Sequence, residues 1–259
     1  MENKGYGFIP STQEEIDSRS STHYLFGAPG RLSDSNMEFV NLIRDGYAPI
    51  ADQKWTSSCV GQAVARCLQL RYFKLFGKVF DFSALAVYTL ARQFAKCEKE
   101  EELNDVGCRP ALAVRGIAEF GALLTEDWPF DFEKINEELP FDLLAKGTAC
   151  KIKNTYAINS LGQSRIVEVK HALSKGYPVF VAQDVTPSYS SFRGEGFVPP
   201  YDMNEIVLGG HATVIAGYEG NRLYEVNSWG ESWGNNGIGM HEESWLLSPR
   251  VLELIVFSV

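Results

Sequence analysis

The sequence predicts an α+β protein of two lobes, helical first and strand-rich second. Between residues 59 and 121 the apolar positions recur at steps of three and four, the period of a helix face. After about residue 178, short runs rich in Val, Ile, Tyr and Phe take over. A chain of 259 residues, 45% hydrophobic and 22% charged, can bury a full core as one large domain or two small ones.

Residues 1–45 are rich in Ser, Gly, Asp and Pro and show little periodicity, so they read as an irregular segment lying on the surface of something else. "GAPGRLSDS" within it lacks the Gly-Lys-Ser/Thr ending of a phosphate loop. From Cys59, the positions Val60, Ala63, Val64, Cys67, Leu68, Tyr72 and Leu75 form one face of a helix. Ser57 or Ser58 can cap it and Gly77 can end it, while Gln62, Arg66, Gln69 and Lys74 fall largely between the apolar positions and can face outward.

A second helix is expected over 81–97 with Ser83 near its start, followed by a solvated acidic loop over 98–105 to which no function is given. A third spans 110–121, with Pro110 in its first turn and Gly121 past its end. The proline-broken stretch 128–147 reads as a linking region. One more helix over 165–178 is stopped by Gly176 and Pro178. Strands are expected at 178–185, 212–219, 222–229 and 253–259. The division is thus 1–45, a helical 46–145 and a β-rich 146–259.

The charge balance of 24 against 33 gives −9, which argues against nucleic acid or an anionic membrane as partner. The start has no basic region followed by an apolar stretch, and no uncharged apolar run is long enough to span a bilayer. The expected address is the cytoplasm, or export without a cleaved signal peptide. Cys59, Cys67, Cys97, Cys108 and Cys150 are irregularly spaced, which fits neither a zinc site nor a full set of disulfides, so reduced thiols and no metal are expected.

Taken alone, Cys59 reads as a small buried hydrophobe. Its place at a helix start, where the positive end of the dipole favours a thiolate, gives it a second reading. His211 follows two glycines and precedes an apolar run, and Asn227 stands sixteen residues later. A hairpin between 212–219 and 222–229 would bring the two together. Cys59 would then attack a carbonyl, His211 take and return a proton, and Asn227 orient the imidazole. Gln53 could aim its amide at the developing oxyanion, where one such donor contributes about 3–4 kcal/mol. His23, His171 and His241 have no such company and read as surface or packing residues.

Gln53-x5-Cys59, "GGHA" at 209–212 and "NSWGESWGNNG" at 227–237, in that order, resemble the three active-site blocks of the papain-like cysteine peptidases. The resemblance runs from about residue 46 to about residue 245 and is to the compact bacterial and viral branch. It implies a helical lobe and an antiparallel, barrel-like β lobe with the cleft between them. Gln53, Cys59, His211 and Asn227 match the oxyanion-hole glutamine, nucleophile, base and orienting amide, and Trp229 the aromatic that shields the His–Asn contact.

The stretch 106–131, with Gly107, resembles the lining of the non-primed side of the cleft, and Gly209, Gly210 and Ala212 would border the substrate beside Trp229. Met203 and Leu208 are further candidates for a side-chain pocket. The implied activity is thiol-dependent peptide-bond hydrolysis on a peptide or protein substrate, without cofactor. A silent peptide-binding relative, or a deamidase or other acyl transferase on the same residues, is the alternative.

This chain departs from the plant and lysosomal enzymes in "TSSCV", where Thr56, Ser57 and Val60 replace a cysteine, a glycine and an aromatic. The usual disulfide at that point cannot form, which fits a reducing compartment. The segment ahead of Gln53 is also shorter than the family's inhibitory propeptide. "YGFIP" and the irregular segment after it resemble the short N-terminal stretch of the bacterial branch, and part of 1–45 is expected to lie along the cleft as an intramolecular inhibitor.

Overall fold

A computed structural model describes residues 5–27, 30, 32–99 and 103–259, the side chains of 97–99 and 148 excepted. The N-terminal part carries α1 (Gln13–Asp17), β1 (Ser20–Ser21), α2 (His23–Phe26), β2 (Ser35–Asn36) and α3 (Glu38–Arg44). The helical part holds α4 (Cys59–Phe76), α5 (Ala84–Lys99), α6 (Pro110–Phe120) and α7 (Phe141–Leu144). The remainder comprises β3 (Asn154–Ala157), α8 (Gln163–Ser174), β4 (Val179–Val185), α9 (Pro187–Ser191), β5 (Gly209–Glu219), β6 (Arg222–Val226), β7 (Ile238–Glu242) and β8 (Val251–Ser258).

α4 starts at Cys59 after Ser58 and ends at Gly77, whose φ of +65° is the left-handed conformation a helix C-cap asks of glycine. α5 is capped by Ser83, whose hydroxyl accepts from the Ala86 amide at 3.0 Å. The two helices cross closely because residue 61 is glycine: a Cβ there would lie 2.6 Å from the Ala84 carbonyl oxygen.

The expectation that Gln62 and Gln69 face outward is corrected, since both are buried, whereas Leu75, expected in the core, is 46% exposed. α4 is covered on more than one side, by α5 and by β5, so burial follows position in the helix stack rather than one apolar stripe. Arg66 is engaged by the carbonyls of Ala48 and Pro49 and the side chain of Gln69.

The sheet runs β1-β3-β8-β4-β5-β6-β7, with β2 added to the end of β5. Every pairing is antiparallel except β1 with β3. Alternation along β4 sends Phe180 and Ala182 into the core shared with α4, and Val179 and Val181 into the core against α8. The sheet is therefore sandwiched, and its strands are apolar on both faces.

Residues 1–45, expected to be irregular, instead contain three short helices and two two-residue strands among the described positions. Elements this short leave no period to read. Their partners supply the order: β1 pairs with β3, β2 with β5, and the Glu253 carboxylate accepts from the Ser11 amide and hydroxyl and from Arg19 at 2.6–2.9 Å. The acidic loop is also shorter than expected. Helix α5 runs on to Lys99, 100–102 lie outside the described residues, and Asp105 is an acceptor for the Tyr88 hydroxyl and the Ser57 amide.

Among the described residues, no helix is long and apolar enough to cross a membrane. Leu68, 1% exposed in the middle of α4, belongs to the core cluster that joins residues of the helices and the sheet. Leu68→Ala should lower the free energy of unfolding by about 2–5 kcal/mol, read as a drop in the urea midpoint at unchanged slope.

Candidate active site

Two loops meet where the helices abut the sheet. Gln53 N–H donates to the Ser228 carbonyl at 2.8 Å, and Gly230 N–H to the Ala51 carbonyl at 3.0 Å. This short antiparallel bridge ties the approach to α4 to the exit of β6. The Gln53 side chain lies in the seam, fully buried. Its Oε1 accepts from the Ser228 hydroxyl at 2.7 Å, so its Nε2 must point the other way. One N–H goes to the Thr56 carbonyl at 2.8 Å and the other to the Gly5 carbonyl at 3.1 Å.

The turn that leads to the nucleophile position is held by short-range bonds. Asp52 accepts from the Lys54 amide at 3.0 Å, and Lys54 takes a φ of +54°. Thr56 N–H and Oγ1 both donate to the Gln53 carbonyl. Ser57 N–H donates to Asp105 at 2.9 Å. Thr56 thus uses its hydroxyl to close this turn.

The hairpin of β5 and β6 turns at Gly220–Asn221 and pairs Val214 with Val226. That register places His211 beside Asn227, and Nε2 of His211 lies 2.8 Å from Oδ1 of Asn227. The Ser228 amide donates to the same oxygen at 2.7 Å, which settles the orientation of the Asn227 amide. With Oδ1 accepting, Nε2 of His211 carries the hydrogen and Nδ1 is the nitrogen able to take a proton. Trp229 stacks on the imidazole with centroids 4.3 Å apart and an interplanar angle of 23°.

Cys59 is fully buried at the start of α4. Burial pushes the Cys59 thiol up to about 11, against the pull of the backbone amides of Ala212, Gly7, Val60 and Cys59 itself. The helix end favours the anion, but desolvation outweighs it.

Residues 5–9 form a strap through the cleft, with the Gly7 amide turned to the sulfur. Cys108 N–H donates to the Gly7 carbonyl at 2.9 Å, Phe8 N–H to the Gly210 carbonyl at 3.2 Å and Ile9 N–H to the Cys108 carbonyl at 3.2 Å. Tyr6 lies edge-on to Trp229 at 6.2 Å.

The remaining sequence candidates fall into two groups. Gly107, Gly209 and Gly210 border the strap: a Cβ at 107 would meet the Gly7 carbonyl oxygen at 2.3 Å, and Cβ atoms at 209 and 210 would strike Tyr6 and Phe8 at 2.6 and 2.7 Å. Ala212, expected to border the substrate, has its side chain in the core and contributes its backbone. Met203, expected in a side-chain pocket, is corrected to a separate cavity of about 550 Å³ beside Trp245, because the loop after α9 carries it away from the cleft. Sequence reasoning missed Asp105 and Tyr88, which hold Ser57 and the Gly107 amide, and the polar cluster behind Asn227.

A family model for papain family cysteine proteases matches residues 43–244. An uncharacterized peptidase C1-like protein of Acanthamoeba polyphaga mimivirus is 26% identical over an alignment of 202 residues that covers 72% of this chain and 61% of the viral protein. Mouse cathepsin K is 25% identical over 220 residues, 82% of this chain and 60% of its own length. Thiol protease aleurain of Arabidopsis thaliana is 26% identical over 197 residues, 73% of this chain and 51% of its own. The chain therefore spans about half to three fifths of the length of these curated relatives.

Among solved structures, xylellain, a cysteine protease from Xylella fastidiosa, superimposes with a TM-score of 0.78 at 19% identity, covering 100% of this chain and 97% of that one. Digestive procathepsin L 3 of Tenebrio molitor gives 0.71 at 15% identity, covering 99% and 76%. These likenesses establish the shared fold.

Cys59, Cys67 and Cys108 are all raised by burial. The folded state favours their protonated forms, so stability is held below the ordinary value of 9.0 and lost as pH climbs through about 11 for Cys59. Denaturant midpoints taken on either side of that value should fall with rising pH, and Cys59→Ala should remove part of the slope.

Proposed function

This chain belongs to the papain family of cysteine proteases, and on that premise we propose that it hydrolyses peptide bonds through an acyl-enzyme on Cys59. The observation that carries this reading is that one N–H of Gln53 already holds a peptide carbonyl, that of Gly5, in the cleft where backbone of the same strap faces the Cys59 thiol. In turnover the substrate carbonyl takes the place of Gly5. His211 Nδ1 accepts the thiol proton, the sulfur attacks the carbonyl carbon, and Gln53 Nε2–H stabilises the oxyanion beside the Cys59 amide. His211 then returns the proton to the leaving amine, and water releases the acyl group from the sulfur by the reverse roles.

In this reading residues 46–145 bring the nucleophile, 146–259 bring the imidazole and its orienting amide, and 1–45 supply the strap as an intramolecular inhibitor. The strap is held out of register for cleavage. The carbonyl at the oxyanion donor belongs to Gly5, whereas the group that the strap turns to the sulfur is the Gly7 amide. Thr56, standing where relatives with the local disulfide carry a cysteine, supports a reducing compartment.

The test is the mass of the reduced protein after brief exposure to a peptidyl epoxide. One adduct on Cys59, lost in His211→Ala, is the expected result; its absence from both the native chain and a strap-displaced variant would overturn the reading. Gly7→Ala is that variant, because its Cβ would sit 1.7 Å from the Ser57 carbonyl oxygen. It should raise peptidase turnover, measured as new amino termini rather than released ammonia. In that background Gln53→Ala should lower kcat by about 10²–10³-fold, the usual cost of one oxyanion donor.

A further inference from the structure

Behind the His211–Asn227 pair lies a buried polar cluster that the peptidase reading does not use. Glu225, two residues before Asn227 on β6, is fully buried and still ionised. Burial pushes its carboxyl up, but His241 and the surrounding hydrogen bonds outweigh this and leave it below the usual value. Its Oε2 lies 2.7 Å from His241 Nε2, and its Oε1 accepts from the Tyr189 hydroxyl at 2.8 Å, the Thr213 hydroxyl at 2.5 Å and the Gln183 amide. An ionised carboxylate offers no hydrogen, so Tyr189 must donate to it. The lone pairs of the Tyr189 oxygen then face the Asn227 Nδ2–H at 3.4 Å and the Gln183 amide at 3.1 Å.

Tyr189 also touches the second group that holds the imidazole. Its ring meets Trp229 edge-on at 5.7 Å and 72°, and Trp229 is stacked on His211. The Tyr189 carbonyl in turn accepts from the Trp233 indole at 3.0 Å. Ring packing alone would be met by phenylalanine. A hydroxyl in this apolar cluster costs desolvation unless it is bonded, and its bonds run from Glu225 to Asn227.

We infer that Tyr189 is a positioning residue of the peptidase centre: with its hydroxyl fixed by the Glu225–His241 pair, it holds the Asn227 amide in the orientation that points Oδ1 at His211. The inference rests on the proposed peptidase reading. His211 and the Ser228 amide hold the Oδ1 end of Asn227, and the Tyr189 hydroxyl holds the Nδ2 end, so removing the hydroxyl loosens the amide about χ2 and weakens its grip on the imidazole. The chemistry at Cys59 then slows while substrate contacts in the cleft stay as they were.

The experiment is a double-mutant cycle in the full chain carrying Gly7→Ala, so that the strap does not gate access. The readouts are the second-order rate of iodoacetamide on Cys59, mapped by mass, and kcat and KM on a peptide. Tyr189→Phe should slow alkylation and kcat about five-fold, the effect of losing one neutral hydrogen bond, with KM unchanged. In an Asn227→Ala background the same substitution should change the alkylation rate by less than about two-fold, because the coupled partner is gone. The melting temperature reports the separate packing contribution and should shift alike in both backgrounds.

An equal slowing in both backgrounds, or no slowing at all, overturns the inference while leaving the peptidase reading intact. Alkylation of the reference protein that does not depend on His211 instead overturns the peptidase reading.

Discussion

The bridge between residues 51–53 and 228–230 is the constraint on which the rest of the site depends. Cys59 stands at the start of a helix and His211 on a strand, and the two elements are bound to one geometry by the Gln53–Ser228 and Gly230–Ala51 backbone bonds. The Gln53 side chain lies in the same seam with its oxygen and both its N–H groups paired. A buried amide left unpaired costs about 1–3 kcal/mol, so each partner resists rotation of that side chain. The donor aimed into the cleft is thus fixed by the joint between the helices and the sheet.

The same joint sets the electrostatics. A thiol at a helix start gains from the dipole within the first turn, but the gain is small beside the cost of a dry environment. With the strap seated, burial raises the Cys59 thiol above its ordinary value. In the proposed reading, lifting residues 5–9 wets the sulfur and exposes His211 Nδ1 to the same solvent, so that one movement restores both halves of the pair. Reactivity in that reading is governed by occupancy of the cleft, with the amino acids around the sulfur unchanged.

Legibility in the sequence tracks length and locality. Helices α4 and α6, with their glycine stops, and the hairpin that joins His211 to Asn227 are long or self-contained, and their periods and turn residues identify them. The short elements of residues 13–44 have their partners on β3, β5 and β8, far along the chain, so nothing local announces them. Strands β3 and β7, four and five residues long, also lie outside the expected set, whereas the equally short β6 is identified by its hairpin with β5. Glu225 misleads in another way: between Tyr224 and Val226 a carboxylate reads as a solvent-facing strand position, and only the folded chain shows it covered and paired with His241.

The strap shows how a pattern becomes readable only with its counterpart in view. In "GYGF" the glycines and aromatics alternate with the period of extended chain. Gly5 and Gly7 face the carbonyls of Thr56 and Ser57, which a Cβ would approach to 2.0 and 1.7 Å. Tyr6 and Phe8 face Gly209 and Gly210, where a Cβ would be equally excluded. Small residues on each side thus answer bulk on the other, and the strap fits in one register. That register puts the Gly5 carbonyl at Gln53 and the Gly7 backbone at the sulfur. A shift by one residue would drive an aromatic side chain into the Thr56–Ser57 backbone, so the mutual fit that seats the strap also opposes its sliding along the cleft.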